Sequence, residues 1–110
     1  MISFAIYKHG KGHYYVVLLT VNGDIILRGT DCANILACHY SIDSIRANAT
    51  DFSKYELTDS HLGNYFFELK EPGGKGIARS ILFETVDNVC SRIEFVRRNI
   101  PNARVEHYSF

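Results

Sequence analysis

Residues 35–49, ILACHYSIDSIRANA, and residues 86–100, VDNVCSRIEFVRRNI, decide the fold. In the first stretch Ile35, Cys38, Ile42, Ile45 and Ala49 recur at intervals of 3, 4, 3 and 4. In the second, Val86, Val89, Ile93, Val96 and Ile100 recur at the same intervals, each 51 positions later. Such spacing draws one apolar stripe down a helix, suited to lie on a sheet. Asn34 and Thr85 precede the stripes as N-caps. Asn48 and Asn99 fall where a left-handed C-terminal residue is expected, and Pro101 blocks further helix.

The same offset extends outward without a gap. It pairs Gly12 with Gly63, Tyr14 with Tyr65, Leu18 with Leu69, Gly23 with Gly74, Ile26 with Ile77 and Arg28 with Arg79. Ahead of each helix, apolar residues alternate at period two, as half-buried strands do. Phe4 and Ile6 make a face of the first strand and Tyr14, Val16 and Leu18 a face of the second, while Ile25 to Arg28 read as the third. Asn22-Gly23 signals a two-residue hairpin, with Gly73-Gly74 at the matching place. Ser53 to Thr58 and Ala103 to Phe110 read as equivalent strands after the two helices. The expectation is a single α+β domain over 1–110. It consists of tandem βββα repeats at about 1–51 and 52–102 plus a C-terminal strand at 103–110. The repeats share an antiparallel sheet with both helices packed on one face.

Composition narrows function mainly by exclusion. Twelve basic and 12 acidic side chains give a formal net charge of zero. That leaves no global attraction to nucleic acid or an anionic membrane, and little electrostatic protection against self-association. No apolar run approaches the ~20 residues of a membrane span, and the start lacks the pattern of a signal peptide. Cys32, Cys38 and Cys90 cannot all pair within one chain, and no CxxC occurs. Reduced cysteines and a cytoplasmic location are the expectation.

Phe4-Ala5-Ile6-Tyr7-Lys8, Tyr14-Tyr15-Val16, Asn22-Gly23-Asp24-Ile25-Ile26 and Ser41-Ile42-Asp43-Ser44-Ile45-Arg46-Ala47-Asn48-Ala49 resemble the YegP-like family of small bacterial proteins. Arg92-Ile93-Glu94-Phe95-Val96-Arg97-Arg98-Asn99 echoes the pattern. Ser41, Arg92, Asn34-Ile35 and Thr85-Val86 depart from it, which makes this a divergent member. The resemblance implies tandem repeats in one sheet, helices on one side, and C-terminal strands that cross between repeats. It implies no activity and no catalytic residue.

The residues themselves offer no catalytic constellation. Cys38 and His39 are helix neighbours about 100° apart, and Cys38 lies in the apolar stripe. His9, His13 and His61 fall near turns, without a metal-ligand pattern. Gly10-Lys11-Gly12 and Gly74-Lys75-Gly76 lack the phosphate-loop frame. Asp43/Arg46 and Glu94/Arg97 read as solvated helix pairs. Two features stand out. Arg28 and Arg79, the other repeated charges, are candidate anion contacts. Tyr7, Tyr15, Val17 and Leu19 project from the strand faces opposite the core set, as a candidate interaction surface. The expected protein is a binding or interaction protein, not an enzyme, with no cofactor and no metal. It is expected to self-associate as a homodimer through that apolar face. The alternative is a nucleic-acid-binding module that stacks bases on Tyr7, Tyr15 and Phe66, and neutral charge weighs against it.

Overall fold

Alternation and helical spacing produce their elements close to where the sequence places them. In the computed structural model, which describes residues 2–106, the chain runs β1 (Ile2–Lys8), β2 (Tyr14–Thr20), β3 (Ile25–Gly29) and α1 (Ile35–Asn48). It continues through a 3-10 turn at Phe52–Lys54 into β4 (Tyr55–Asp59), β5 (Tyr65–Lys70), β6 (Gly76–Ser80) and α2 (Val86–Asn99). A second 3-10 turn, Ile100–Asn102, leads to β7 (Arg104–Val105). The final strand expected over 103–110 is thus seen at Arg104–Val105, and its residues 107–110 lie outside the described residues.

The Asn34 side chain accepts from the Ala37 N–H at 2.8 Å and Thr85 accepts from the Asn88 N–H at 3.1 Å, capping α1 and α2. The helix ends differ from expectation. Neither Asn48 nor Asn99 is left-handed, because His61 is the one non-glycine with positive φ among the described residues. Each asparagine amide instead donates back to a carbonyl one turn earlier, Asn48 to Ser44 and Asn99 to Phe95, both at 2.8 Å. That back-bond holds the residue in the helical region, and the chain then tightens into a 3-10 turn.

The seven strands form one mixed sheet in the order β4-β5-β6-β3-β2-β1-β7. The expected all-antiparallel sheet needs one correction: β7 crosses over from behind α2 and pairs parallel with β1. Arg46 of α1 fastens that crossing, donating to the Ile100 and Ala103 carbonyls at 3.0 and 2.8 Å. It is a tie between segments, not the solvated partner of Asp43. The hairpin turns are also one residue longer than expected. Thr20 N–H bonds to the Asp24 carbonyl, and of the turn residues only Gly23 has positive φ, at 89°. The closure is a three-residue loop with the left-handed residue last. In the matching turn both Gly73 and Gly74 have positive φ.

Register shifts fall between Leu18 and Leu19 and between Leu69 and Lys70. These bulges let the consecutive pairs Ile26-Leu27 and Ile77-Ala78 all join the core. Phe4, Ile6, Val16, Leu18, Phe67 and Leu69 meet Cys38, Ile42, Ile45, Val89, Ile93 and Val96 there. Both helices therefore cover one face of the sheet, and the other face is free of helix.

Candidate functional site

The helix-free face is set by pleat alternation. Residues opposite the core set are Ala5 and Tyr7 on β1, Tyr15, Val17 and Leu19 on β2, Arg28 on β3, Arg79 on β6, and Phe66, Glu68 and Lys70 on β5. Its two ends differ. On β1 and β2 the apolar row is largely closed within the chain. Val17, expected on an open face, is 0% exposed, and its direct partner Ala5 is 3% exposed. Neither belongs to the helix-side core. Val17 is short and stands between the larger Tyr15 and Leu19. Tyr7, Tyr15 and Leu19 keep part of their surface, and the Tyr7 and Tyr15 rings meet at 5.6 Å between centroids.

At the middle of the sheet, β3 and β6 pair antiparallel, and Arg28 is the direct partner of Arg79. The pairing sets their Cα atoms opposite each other, but the side chains lean apart, Arg28 toward Tyr15 on β2 and Arg79 toward Phe66 on β5. Each is held in place twice. The Arg28 guanidinium lies 4.0 Å from the Tyr15 ring centroid and 3.2 Å from an Asp31 carboxylate oxygen. The Arg79 guanidinium lies 4.7 Å from the Phe66 ring centroid and 3.5 Å from a Glu68 oxygen. Both arms stay open to water, with side chains 50% and 63% exposed. Exposed ion pairs contribute about 0–1 kcal/mol and exposed cation–π contacts about 0.5–1 kcal/mol. The arrangement positions the arginines without contributing much to the fold.

Beside this pair lies a cleft of about 380 Å³, whose lining includes Arg28, Thr30, Glu68, Gly76 and Arg79. Gly76 keeps it open, since a Cβ there would stand 2.9 Å from the Glu68 carboxylate. Ile25 occupies the corresponding place on β3. The cleft's groups can bind but are poorly placed for catalysis. Guanidinium is always charged and cannot act as a base. The Glu68 carboxylate is engaged by Arg79 and Lys70, and the Ser80 hydroxyl is engaged by Phe67 N–H and the Ile81 carbonyl.

The remaining sequence candidates lie elsewhere. Cys38 is buried, and that burial, with Cys32 beside it, pushes its thiol up to about 12, which keeps it unreactive. His39 is exposed on the helix surface. His9 and His13 flank the β1–β2 turn and His61 sits in the β4–β5 turn, on different halves of the sheet. Sequence reasoning singled out both arginines but not their pairing, nor Asp31, and it set Gly76 aside as lacking the phosphate-loop frame. Asp31 was legible as an acid three residues after Arg28. Glu68 was legible as the charge standing where the first half has Val17.

No family model matches the chain. It is 26% identical over 103 residues to a UPF0339 protein in the ptx operon 5′ region of Stutzerimonas stutzeri, covering 94% of this chain and 93% of that protein. It is also 26% identical over 101 residues to a UPF0339 protein of Pseudomonas aeruginosa, covering 92% of each. Among solved structures, the solution NMR structure of Escherichia coli yegP, described as a protein of unknown function, shares the fold. The TM-score is 0.87 at 23% identity, over 99% of this chain and 95% of that one. A UPF0339 protein of Shewanella oneidensis matches with a TM-score of 0.86 at 18% identity, over 96% and 90% of the two chains. These likenesses bear out the YegP-like resemblance of the sequence. They carry no indication of a catalytic family. No helix among the described residues is long and apolar enough to cross a membrane.

Proposed function

We propose that this YegP-like chain is a binding protein without chemistry of its own, built by duplication of a βββα unit, whose working surface is the seam of the helix-free face where the two units meet. The observation that carries this reading is the direct pairing of Arg28 with Arg79 beside an open cleft. Two cations rooted on paired strands at the sheet centre, each exposed by half or more, are available to an anion. The duplication reading explains why the two are equivalent: when third strands of two copies pair antiparallel, matching residues can face each other across the join.

The test compares wild type with Arg28→Gln/Arg79→Gln in thermal melts at fixed ionic strength, with acetate, citrate, sulfate and phosphate in turn. At least one anion should raise the wild-type Tm and leave the double variant unmoved. Equal shifts in both proteins, or none in either, would sink the reading.

Self-association through Tyr7, Tyr15 and Leu19, without the buried Val17, is the second reading. The surface left on Tyr7, Tyr15 and Leu19 across adjacent strands supports it, as does the zero formal charge. Leu19→Lys is its probe, because Val17→Lys would bury a charge. Light scattering should then show a dimer for wild type and a folded monomer for the variant, and a monomeric wild type at high concentration removes the idea. A nucleic-acid surface would need the rings of Tyr15 and Phe66 for stacking, and a guanidinium already lies over each.

A further inference from the structure

We infer that the second half carries a site of its own, apart from the seam, which binds a small aromatic monocarboxylic acid with its ring on Phe83 and Phe95 and its carboxylate on Arg92. Three arginines of the described residues are half-buried: Arg46, Arg92 and Arg97. Arg46 is satisfied by the Ile100 and Ala103 carbonyls, and Arg97 by Glu94 and the Thr50 carbonyl. Arg92 has neither an acid nor a carbonyl among the described residues, and its guanidinium lies 5.3 Å from the Phe95 ring centroid. Glu94, the nearest acid along the helix, is engaged by Arg97 and Arg98. The guanidinium is always charged, and its planar fork matches a carboxylate through two parallel hydrogen bonds.

Arg92 lines a cavity of about 420 Å³ together with Phe83, Asn88, Ser91 and Phe95. That volume lies in the lower part of the range for small-molecule sites, roughly 300–1,000 Å³. Its aromatic wall is fixed. Phe83 is bound to Tyr65 by two backbone hydrogen bonds at 2.7 and 2.8 Å, and its ring stacks on the buried Phe67 at 6.2 Å between centroids. The Thr85 cap fixes the helix backbone at Asn88, while the Asn88 and Ser91 side chains make no hydrogen bond among the described residues. Two ring surfaces, one cation without an acid and two uncommitted polar groups suit an aromatic body with a single negative charge. A dicarboxylate or a phosphate monoester would bring a second charge that nothing in the lining matches. The equivalent positions of the first half are Cys32, Ala37, Tyr40, Ser41 and Ser44. They carry no cation, so the site belongs to the second half alone.

Titration of the whole isotope-labelled protein with phenylacetate at constant ionic strength, followed by amide NMR, tests the inference. Saturable shifts should centre on Phe83 and on the α2 residues that line the cavity. Phenylacetamide keeps the ring without the charge, and acetate keeps the charge without the ring. Each should bind about tenfold or more weakly than phenylacetate, and Arg92→Gln should weaken phenylacetate by a similar factor. Ser91→Tyr places at an exposed position of α2 the side chain that Tyr40 has in α1. It should block the cavity and leave the urea midpoint unchanged. Arg28→Gln/Arg79→Gln should bind phenylacetate as wild type does, which separates this site from the seam. Shifts centred on the seam, or lost in that double variant, would overturn the inference. So would the absence of saturable shifts, or equal binding of the amide or of acetate. Should Arg92→Gln also lower the urea midpoint, Ser91→Tyr decides, and undiminished binding by that variant would overturn the site.

Discussion

The first half of the chain has Val17 where the second has Glu68, and Asp31 where the second has Leu82. Both halves keep the arginine, the ring beneath it and one carboxylate beside it, but the carboxylate comes from a different element. In the first half it is in the loop after β3. In the second it is on the neighbouring strand β5, and the loop carries exposed Ile81 and Leu82 instead. The difference separates what the two halves hold constant, a pinned guanidinium, from what they vary, the source of the counter-charge. The same contrast appears in the helix ties. Arg46 of α1 reaches the carbonyls of Ile100 and Ala103 beyond α2, while Arg97 of α2 reaches the Thr50 carbonyl beyond α1 and also grips Glu94 at 2.8 Å. Each helix thus fastens the segment that follows the other.

The most severe way to break the comparison is in the core. Ile42 and Ile93 are 2% and 4% exposed at matching places under the sheet. Truncating either to alanine should destabilise by about 2–5 kcal/mol. Urea midpoints of the two variants should fall together. A large loss for one with a near-neutral effect of the other would mean that the halves share an outline but not a core.

A milder substitution makes the first half resemble the second. Cys38 stands where α2 has Val89, and both are fully buried. Burial, with Cys32 beside it, raises the Cys38 thiol from 9.0 to about 12. A raised folded pKa means that the neutral thiol is favoured in the fold. Its contribution to stability is therefore whole below pH 9 and is lost as pH climbs from 9 toward 12. Tyr55, raised above its ordinary 10.0 mainly by burial, begins the same loss a unit later. Cys38→Val should change stability at pH 7 by less than about 1.5 kcal/mol and delay the alkaline decline until above pH 10. Urea titrations at pH 7, 9.5 and 10.5 read both effects, and an unchanged decline at pH 9.5 would contradict the assigned thiol.

How much was legible follows from which forces are local. The helices were, because a stripe at intervals of three and four residues has one interpretation. Even so, Ile35 and Val86, the first member of each stripe, are 36% and 38% exposed. Spacing says which side of a helix is apolar but not how far along its axis the sheet reaches. The caps were legible at the N-termini, where Asn34 and Thr85 act in one way, and not at the C-termini, where Asn48 and Asn99 had a choice of bonds. The burial of Val17 was not, since pleat alternation assigns a face without saying what lies over it. The meeting of Arg28 with Arg79 was not either, because it depends on β3 lying beside β6, and strand order is a long-range outcome. Asp31, Glu68 and Gly76 became a site only through that order.

The smallest expected effect isolates the backbone. In the β1–β2 turn Gly10 has φ of 69°, and in the β4–β5 turn the matching residue is His61, with φ of 68°. Two chemically unlike residues thus hold one left-handed conformation. Both turns close with matching hydrogen bonds, His9 N–H to the His13 carbonyl at 2.7 Å and Ser60 N–H to the Asn64 carbonyl at 3.0 Å. The His61 ring is exposed, and nothing lies within 4 Å of a Cβ built on Gly10, so side-chain packing decides little at either place. The left-handed region costs an L-residue roughly 1–2 kcal/mol. Glycine avoids that cost but loses about 0.5–1 kcal/mol more backbone entropy on folding. The first term is the larger, so His61→Gly should stabilise by about 0.5 kcal/mol. Gly10→His should destabilise by a similar amount. The Asp59 carboxylate already accepts from the backbone N–H of His61 at 2.8 Å, and that bond survives the change because it does not involve the ring. Opposite and comparable shifts in the urea midpoint would show that the two turns are one structure carried by different residues. A loss of stability in His61→Gly would show that the imidazole makes a contribution of its own, and that this turn, unlike its counterpart, depends on its side chain.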